Sequence, residues 1–413
     1  MLRKISVGLI LPLLGFLFTT NAHADTALTG QSDGGAFFKI IVPDAWNGDL
    51  VIWNHGFSLD PIGPVSNLDL GPLAQIQLVE GYAVAASSYQ QRGWSVFKTN
   101  NDLQNLVDAF KVNFGMPNNV ILTGASLGGA VTVAAVEKAN LGNVAGAYTI
   151  CGANAGSRNW DGALDLRLIY DAVCDDVPGA SIPGGAQGLP VNSTLTGTGM
   201  ALAVHACTGI LAPPPFRTSA QSDNLAKLLG ATQIPESFLL TTMGFVTFAM
   251  ADLVHDNRKL NGKVGTNNIG VDYGDAAIND TVERVTAHKG AANLLAKNYS
   301  PNGHVGSTKH VALHTDKDGL VVVENQSAYA ALAPAANYTV AVAIETVPSH
   351  CIHSPAEVVG GWESLRAWLA GAPQPTAADI QGTCVVFEPV FGGPCRIDPG
   401  FVIPDMDGRI PPR

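Results

Sequence analysis

The sequence is poor in charge: Asp, Glu, Lys and Arg make up only 14% of 413 residues. Low charge with 46% hydrophobic content excludes an intrinsically disordered chain, which needs the opposite balance. Basic residues are the scarcer sign, 23 against 34 acidic, and no cluster of Lys or Arg occurs. A surface of that kind repels phosphate backbones, so nucleic acid is excluded as an expected partner. There is no C-x-x-C pair among the six cysteines, which leaves a zinc site without support. Internal repeats are also missing, which excludes a solenoid.

The first residues carry an export pattern. Arg3 and Lys4 precede an apolar stretch from Val7 to Phe18, too short to span a bilayer comfortably, and Ala22-His23-Ala24 fits a small-x-small cleavage site. The expectation is a signal peptide over 1–24, a mature chain starting near Asp25, and a secreted or periplasmic location; an uncleaved membrane anchor is the alternative. Without Arg3 and Lys4, 21 basic residues face 34 acidic ones, a net charge of −13. An even cysteine count in an exported chain suggests disulfides. Cys174 with Cys207 and Cys384 with Cys395 are the expected pairs.

From residue 36 onward strand and helix patterns alternate, which implies a mainly parallel sheet with helices on its faces. Strands are expected at 36–43, 49–56, 82–89, 120–123 and 143–151, and helices at 67–81, 102–115 and 127–138. In 102–115, Leu103, Leu106, Val107 and Phe110 share one face. The alternation resumes with strands at 309–315 and 338–346 and helices at 321–333 and 355–370. This divides the chain into a core (25–154 and 306–372), an insertion (155–305) and a tail (373–413) rich in Pro and Gly. The insertion holds the apolar helical stretches 197–212 and 237–254. The second is apolar nearly all round, so it is expected to be buried; Asp252 and the threonines argue against a membrane span. Entering and leaving at strand ends, the insertion reads as a mostly helical lid.

Gly124-Ala125-Ser126-Leu127-Gly128 lies between a strand and a helix and matches G-x-S-x-G, the turn that exposes a nucleophilic serine. Glycines two residues to either side remove clashes at that sharp turn. The following helix points its N-terminus at the hydroxyl, where negative charge would develop. Such turns also occur for packing alone, so partners are required. The acid must follow the serine and the histidine must come last. Asp318 lies in the loop beyond a strand's carboxyl end, where catalytic groups gather in open sheets. Asp316 is its rival, and either could simply cap the next helix. His350 is the first histidine after the next strand; His353, beside Ser354-Pro355 at a helix start, is the second candidate, with a surface or capping role as its alternative. Leu127 and Phe57 are the candidate backbone donors for an oxyanion. His55 precedes the serine in the chain, so it is assigned to loop structure. Trp53, Phe57, Tyr89 and Trp94 are candidates for lining a substrate site, or for filling the core.

With His55-Gly56-Phe57, the Ser126 motif, the Asp318 loop and the His350-Cys351 loop, the chain resembles the α/β-hydrolase fold superfamily, and within it an exported serine esterase or lipase-like hydrolase with a lid. The segment "SHCIHSPAE" is similar to the His-Cys-x-x-(Ser/Thr)-Pro-Ala-Glu pattern of secreted members, which supports His350. The resemblance implies cleavage of a small-molecule or polymeric carboxylic ester through Ser126, His350 and Asp318, with no cofactor or metal. Amide or β-diketone cleavage on the same triad, or a non-catalytic binding module, are the alternatives. Tannase and feruloyl-esterase relatives bridge cysteines flanking serine and histidine; here Ala125 precedes the serine, so that bridge is absent. A Cys151–Cys351 bond is not expected either, because strands two apart in a sheet lie about 10 Å from each other, beyond disulfide reach.

Overall fold

Alternate residues of one short strand enter two different cores. In Val120–Ala125, Val120 and Leu122 point into one buried cluster and Ile121 into the other. The period-2 geometry of a strand makes this the signature of a sheet covered on both faces. The computed structural model describes residues 25–413; the export segment 1–24 lies outside the described residues. Eight strands form one sheet: β1 (Thr26–Gln31), β2 (Phe37–Val42), β3 (Leu50–Asn54), β4 (Ala83–Ser87), β5 (Val120–Ala125), β6 (Val144–Ile150), β7 (Lys309–Thr315) and β8 (Tyr338–Ala343). Their order is β1-β2-β4-β3-β5-β6-β7-β8. The first two pairings are antiparallel, and all others are parallel. The parallel strands therefore end along one edge, and their following loops meet there. This is the α/β-hydrolase architecture that the sequence implied.

One face carries the helices Val96–Phe114 and Leu127–Lys138 together with the insertion. The other carries Ala74–Val79, Pro355–Leu369 and Ala377–Phe391. The helix expected at 102–115 begins six residues earlier, at Val96, and buries the four apolar residues named above. Among the described residues, 155–305 is helix and loop without strands, and its first two long helices, Arg158–Cys174 and Gly197–Thr208, are joined by Cys174–Cys207. It shares its interior with the sheet: Trp160, Met243 and Val246 belong to the same buried cluster as Ile40 and Leu122. The apolar run Glu236–His255 has a mean hydropathy of 1.6, and its inward side, Leu239, Met243, Val246, Met250 and Leu253, is almost fully buried. A π-helical turn interrupts it at Phe245–Ala249.

The tail does more than wrap the surface. Its helix Ala377–Phe391 packs on Pro355–Leu369, Cys384–Cys395 closes the following turn, and Ile397 then pairs antiparallel with Ala343. That pairing covers the carboxyl end of the β8 edge, through Ile344 N–H to the Arg396 carbonyl and Asp398 N–H to the Val342 carbonyl. Beyond it, Met406 and Ile410 are buried against Ala155.

The Cys151–Cys351 expectation is corrected. The two cysteines form a disulfide with a Cα–Cα distance of 5.3 Å. The strands β6 and β8 are indeed separated by β7. Cys351, however, lies in the irregular loop after β8, which folds back over the end of β7: Ser349 bridges to Asp318, and Gly319 N–H donates to the Ser349 carbonyl at 3.1 Å. Strand spacing did not apply to a residue that had already left its strand.

Candidate active site

Ser126 occupies the junction of β5 and the helix Leu127–Lys138 with φ 55° and ψ −123°. Few L-residues tolerate positive φ, and such residues persist where surrounding contacts over-determine them. Here the Ser126 N–H donates to the Ile150 carbonyl at 3.0 Å, and the Ser126 carbonyl accepts from Gly129 and Ala153 at 2.9 and 3.0 Å. A side chain at Gly124 would strike the Gly128 carbonyl and Thr132, and one at Gly128 would strike the Asn54 carbonyl. Both glycines are thus required by the close passage of backbone, as the motif implied. Leu127 opens the helix, so its N–H has no partner one turn earlier within it.

His350 reaches the serine from the loop after β8. Its Nε2 lies 3.0 Å from Ser126 Oγ, and its Nδ1 lies 2.9 and 2.8 Å from the two carboxylate oxygens of Asp318. Asp318 is buried, and its Oδ1 also accepts from the backbone N–H groups of Leu320 and Val321 at 2.9 and 2.8 Å. These donors satisfy oxygens that the buried position withholds from solvent. As a carboxylate Asp318 accepts the hydrogen bond from Nδ1–H, which leaves Nε2 as acceptor for the serine hydroxyl. The rivals stand elsewhere. Asp316 Oδ1 accepts from Glu345 N–H at 2.7 Å, and His353 is buried beside Glu357, with Nδ1 3.7 Å from its carboxylate. Burial would raise the Glu357 carboxyl, but nearby His353 and hydrogen bonds from Arg396 and the backbone N–H groups of Ser354 and Arg396 hold it at about 2.

The loop after β3 lies against the serine: a Cβ on Gly56 would sit 3.5 Å from Ser126 Cβ. Gly56 thus matters for its closeness to the nucleophile, and it does not have positive φ. His55 props this loop. Its ring stacks on Tyr89 at 4.1 Å, its Nδ1 meets the Gly56 carbonyl at 2.8 Å, and Tyr89 OH donates to the His55 carbonyl at 3.2 Å. Burial lowers the His55 pKa, which favours the neutral imidazole.

A cavity of about 600 Å³ opens onto Ser126, Leu127 and His350. Of the four aromatic candidates, Phe57 and Trp94 line it, whereas Trp53 and Tyr89 stand outside its lining. Trp53 lies on the Gly71 backbone, and Tyr89 is spent on holding His55. Much of the wall comes from residues that no local pattern marks: Phe245 and Tyr273 from the insertion, Arg409 and Ile410 from the tail. Aromatic rings link the parts. Trp94 meets Trp160 edge-on at 5.5 Å, Trp160 stacks on Phe245 at 5.2 Å, and Phe245 contacts Phe57 at 5.0 Å. The far wall is polar: Asp165 accepts from Tyr273 OH at 2.7 Å and pairs with Arg413, while Arg409 pairs with Glu324 at 3.3 Å. Cys151, Cys351, Asp318 and His350 bring potential ligand atoms together, but the two sulfurs are bonded to each other and both imidazole nitrogens are engaged. This donor set does not fit a metal ion.

No family model matches the chain. A stretch of 124 residues is 32% identical to o-phthalyl amidase of Xanthobacter agilis; it covers 28% of this chain, and the chain spans about a quarter (26%) of that relative's length. Among solved structures, Candida antarctica lipase A aligns over 94% of this chain and 88% of its own, at 12% identity and a TM-score of 0.43. An esterase from a Rhodococcus species aligns over 84% and 98%, at 16% identity and a TM-score of 0.40. Feruloyl esterase B from Aspergillus oryzae aligns over 84% and 81%, at 15% identity and a TM-score of 0.42. None of these likenesses assigns a role to a residue of this chain.

Proposed function

We propose that the chain is an exported serine hydrolase that cleaves carboxylic esters through an acyl-enzyme formed on Ser126. The observation that carries this reading is one imidazole bonded through Nδ1 to a buried carboxylate and through Nε2 to a serine on a strained strand-to-helix turn. In this reading His350 Nε2 takes the Ser126 proton as Oγ attacks the ester carbonyl, and Asp318 holds the tautomer and stabilises the imidazolium. The Leu127 and Phe57 N–H groups receive the developing oxyanion at the positive end of the helix. His350 then returns its proton to the leaving alcohol, and a water activated by the same imidazole releases the acid. The cavity and its aromatic wall favour an ester with a bulky, largely apolar acyl or alcohol part, small or polymeric. Export draws support from the signal pattern at 1–24 and from three disulfides, which form and persist in oxidising compartments.

A second bond type has one observation in its favour, the local likeness to an amidase. Both chemistries use the same acyl-enzyme, so a panel of p-nitrophenyl esters, anilides and β-diketones separates them. Ester turnover is the expected result; hydrolysis of amides alone overturns the ester assignment. A fluorophosphonate is expected to label the folded protein and to fail on Ser126→Ala. Absence of labelling in the folded parent would leave a binding module on this fold.

A further inference from the structure

We infer that the Cys151–Cys351 disulfide is a positioning device for the reaction: it anchors the loop that carries His350 to the strand beside the nucleophile, and opening it displaces the imidazole from Ser126. The inference rests on the reading of Ser126 and His350 as nucleophile and base. Residues 344–354, from the end of β8 to the helix beginning at Pro355, contain no helix or strand, and an isolated bridge at Ser349 is their one β-type pairing. A catalytic side chain on such a segment needs its geometry fixed from outside, since loops hold positions less well than helices or strands. The bond attaches immediately after His350. Its other end, Cys151, is fully buried, with its N–H donated to the Leu313 carbonyl at 2.8 Å. Cys151 directly follows Ile150, whose carbonyl accepts the Ser126 N–H. One covalent path thus runs from the histidine to the residue that fixes the serine backbone, and the Cys351 sulfur lies 3.5 Å from His350 Nε2.

Backbone conformation points the same way. Seven non-glycine residues have positive φ among those described, and four of them, Tyr89, Ser126, Cys151 and Cys351, surround this site. Cys351, at φ 58°, has the steric incentive of any L-residue to leave that region once its sulfur is free, and doing so turns the His350–Cys351 peptide. The competing restraint is Arg396. It donates to the Ile352 carbonyl at 2.8 Å and to Glu357, so it steadies the loop on the side away from the serine. It holds residues 352–357, and on the other side the Ser349 carbonyl accepts from Gly319 N–H; the disulfide is the restraint that lies between these two, at the 350–351 peptide.

The test uses the full chain with Cys151→Ala and Cys351→Ala together, so that no lone thiol remains. Turnover is divided by the concentration of Ser126 titrated with a fluorophosphonate. The expected result is a kcat per active site lower by about 10- to 100-fold, the cost of misplacing a catalytic group by about 1 Å, with KM within about threefold. A normalised kcat within about twofold of the parent overturns the inference while leaving the nucleophile assignment standing, because that assignment is judged separately by labelling of Ser126→Ala. The parent is also treated with dithiothreitol, which breaks the bond by giving it two electrons, yielding two thiols and a cyclic oxidised reductant. Activity is expected to fall in step with alkylation of Cys151 and Cys351, and this measurement serves where the double variant does not fold. Inhibition that follows Cys174–Cys207 or Cys384–Cys395 instead, or an equal further loss in the double variant, overturns the inference.

Discussion

At the scale of single residues, the proposed chemistry depends on which of two neighbouring carboxylates and which of two neighbouring histidines reaches inward. Asp316 and Asp318 are separated by one residue, yet the first caps the turn after β8 and the second holds the imidazole. Asp318→Asn is expected to keep the fold and lower kcat by about 10⁴-fold, because an amide stabilises neither the tautomer nor the imidazolium. Asp316→Asn is expected to alter kcat by no more than a few-fold. Active-site-normalised kinetics of the two variants check the assignment. At this scale the sequence was informative: chain order and motif spacing favoured Ser126, Asp318 and His350 over Asp316 and His353, and those three are the side chains that lie within hydrogen-bond distance of one another. Trp53 and Tyr89 misled because an aromatic at a strand end can face either way. Trp53 faces the Gly71 loop and Tyr89 faces His55, and neither direction is written in local spacing.

At the scale of elements, the π-helical turn at Phe245–Ala249 introduces a local irregularity into an otherwise continuous apolar helix, and Phe245 there meets both Phe57 and Trp160. Phe245→Ala removes one wall of the cavity. Its expected effect is a rise in KM of about 10-fold for esters of bulky aromatic acids, with little change for acetates, since a lost aromatic contact of about 1–1.5 kcal/mol is felt only by a substrate that touches it. A series of p-nitrophenyl esters of increasing acyl size measures this. Seven of the eight strands were visible as β-branched and apolar runs, β2 among them. The first strand was not, because Thr26–Gln31 is a polar edge strand with mostly exposed side chains. The helix Ala377–Phe391 was hidden by Pro389 within it and by Val385, Val386 and Val390 on its solvent side, which erase the amphipathic period.

At the scale of the whole molecule, the insertion and the tail are held together by charge at the far wall of the cavity. Asp161 lies there among Asp165, Arg158 and Arg413, and burial pushes its carboxyl up to about 7 from 3.8. A folded-state pKa above the unfolded one means that the native protein favours the neutral acid. Stability is therefore penalised in full above about pH 7, and the penalty fades as pH falls toward 3.8. Asp161→Asn is expected to raise the melting temperature at pH 8, with a gain that shrinks between pH 7 and pH 4; melting curves across that range provide the check. This cluster was illegible beforehand, because it unites one helix at the start of the insertion with Arg413 in the tail.

The covalent tie behind His350 spans 200 residues of chain. A polypeptide threaded N-terminus first into an oxidising space would present Cys151 early and its partner late, with Cys174 and Cys207 arriving between them. Sulfurs joined in order of arrival would give the wrong match. The correct one has to await β7 and β8, so the last strands of the sheet act as proofreaders for a bond begun near its middle.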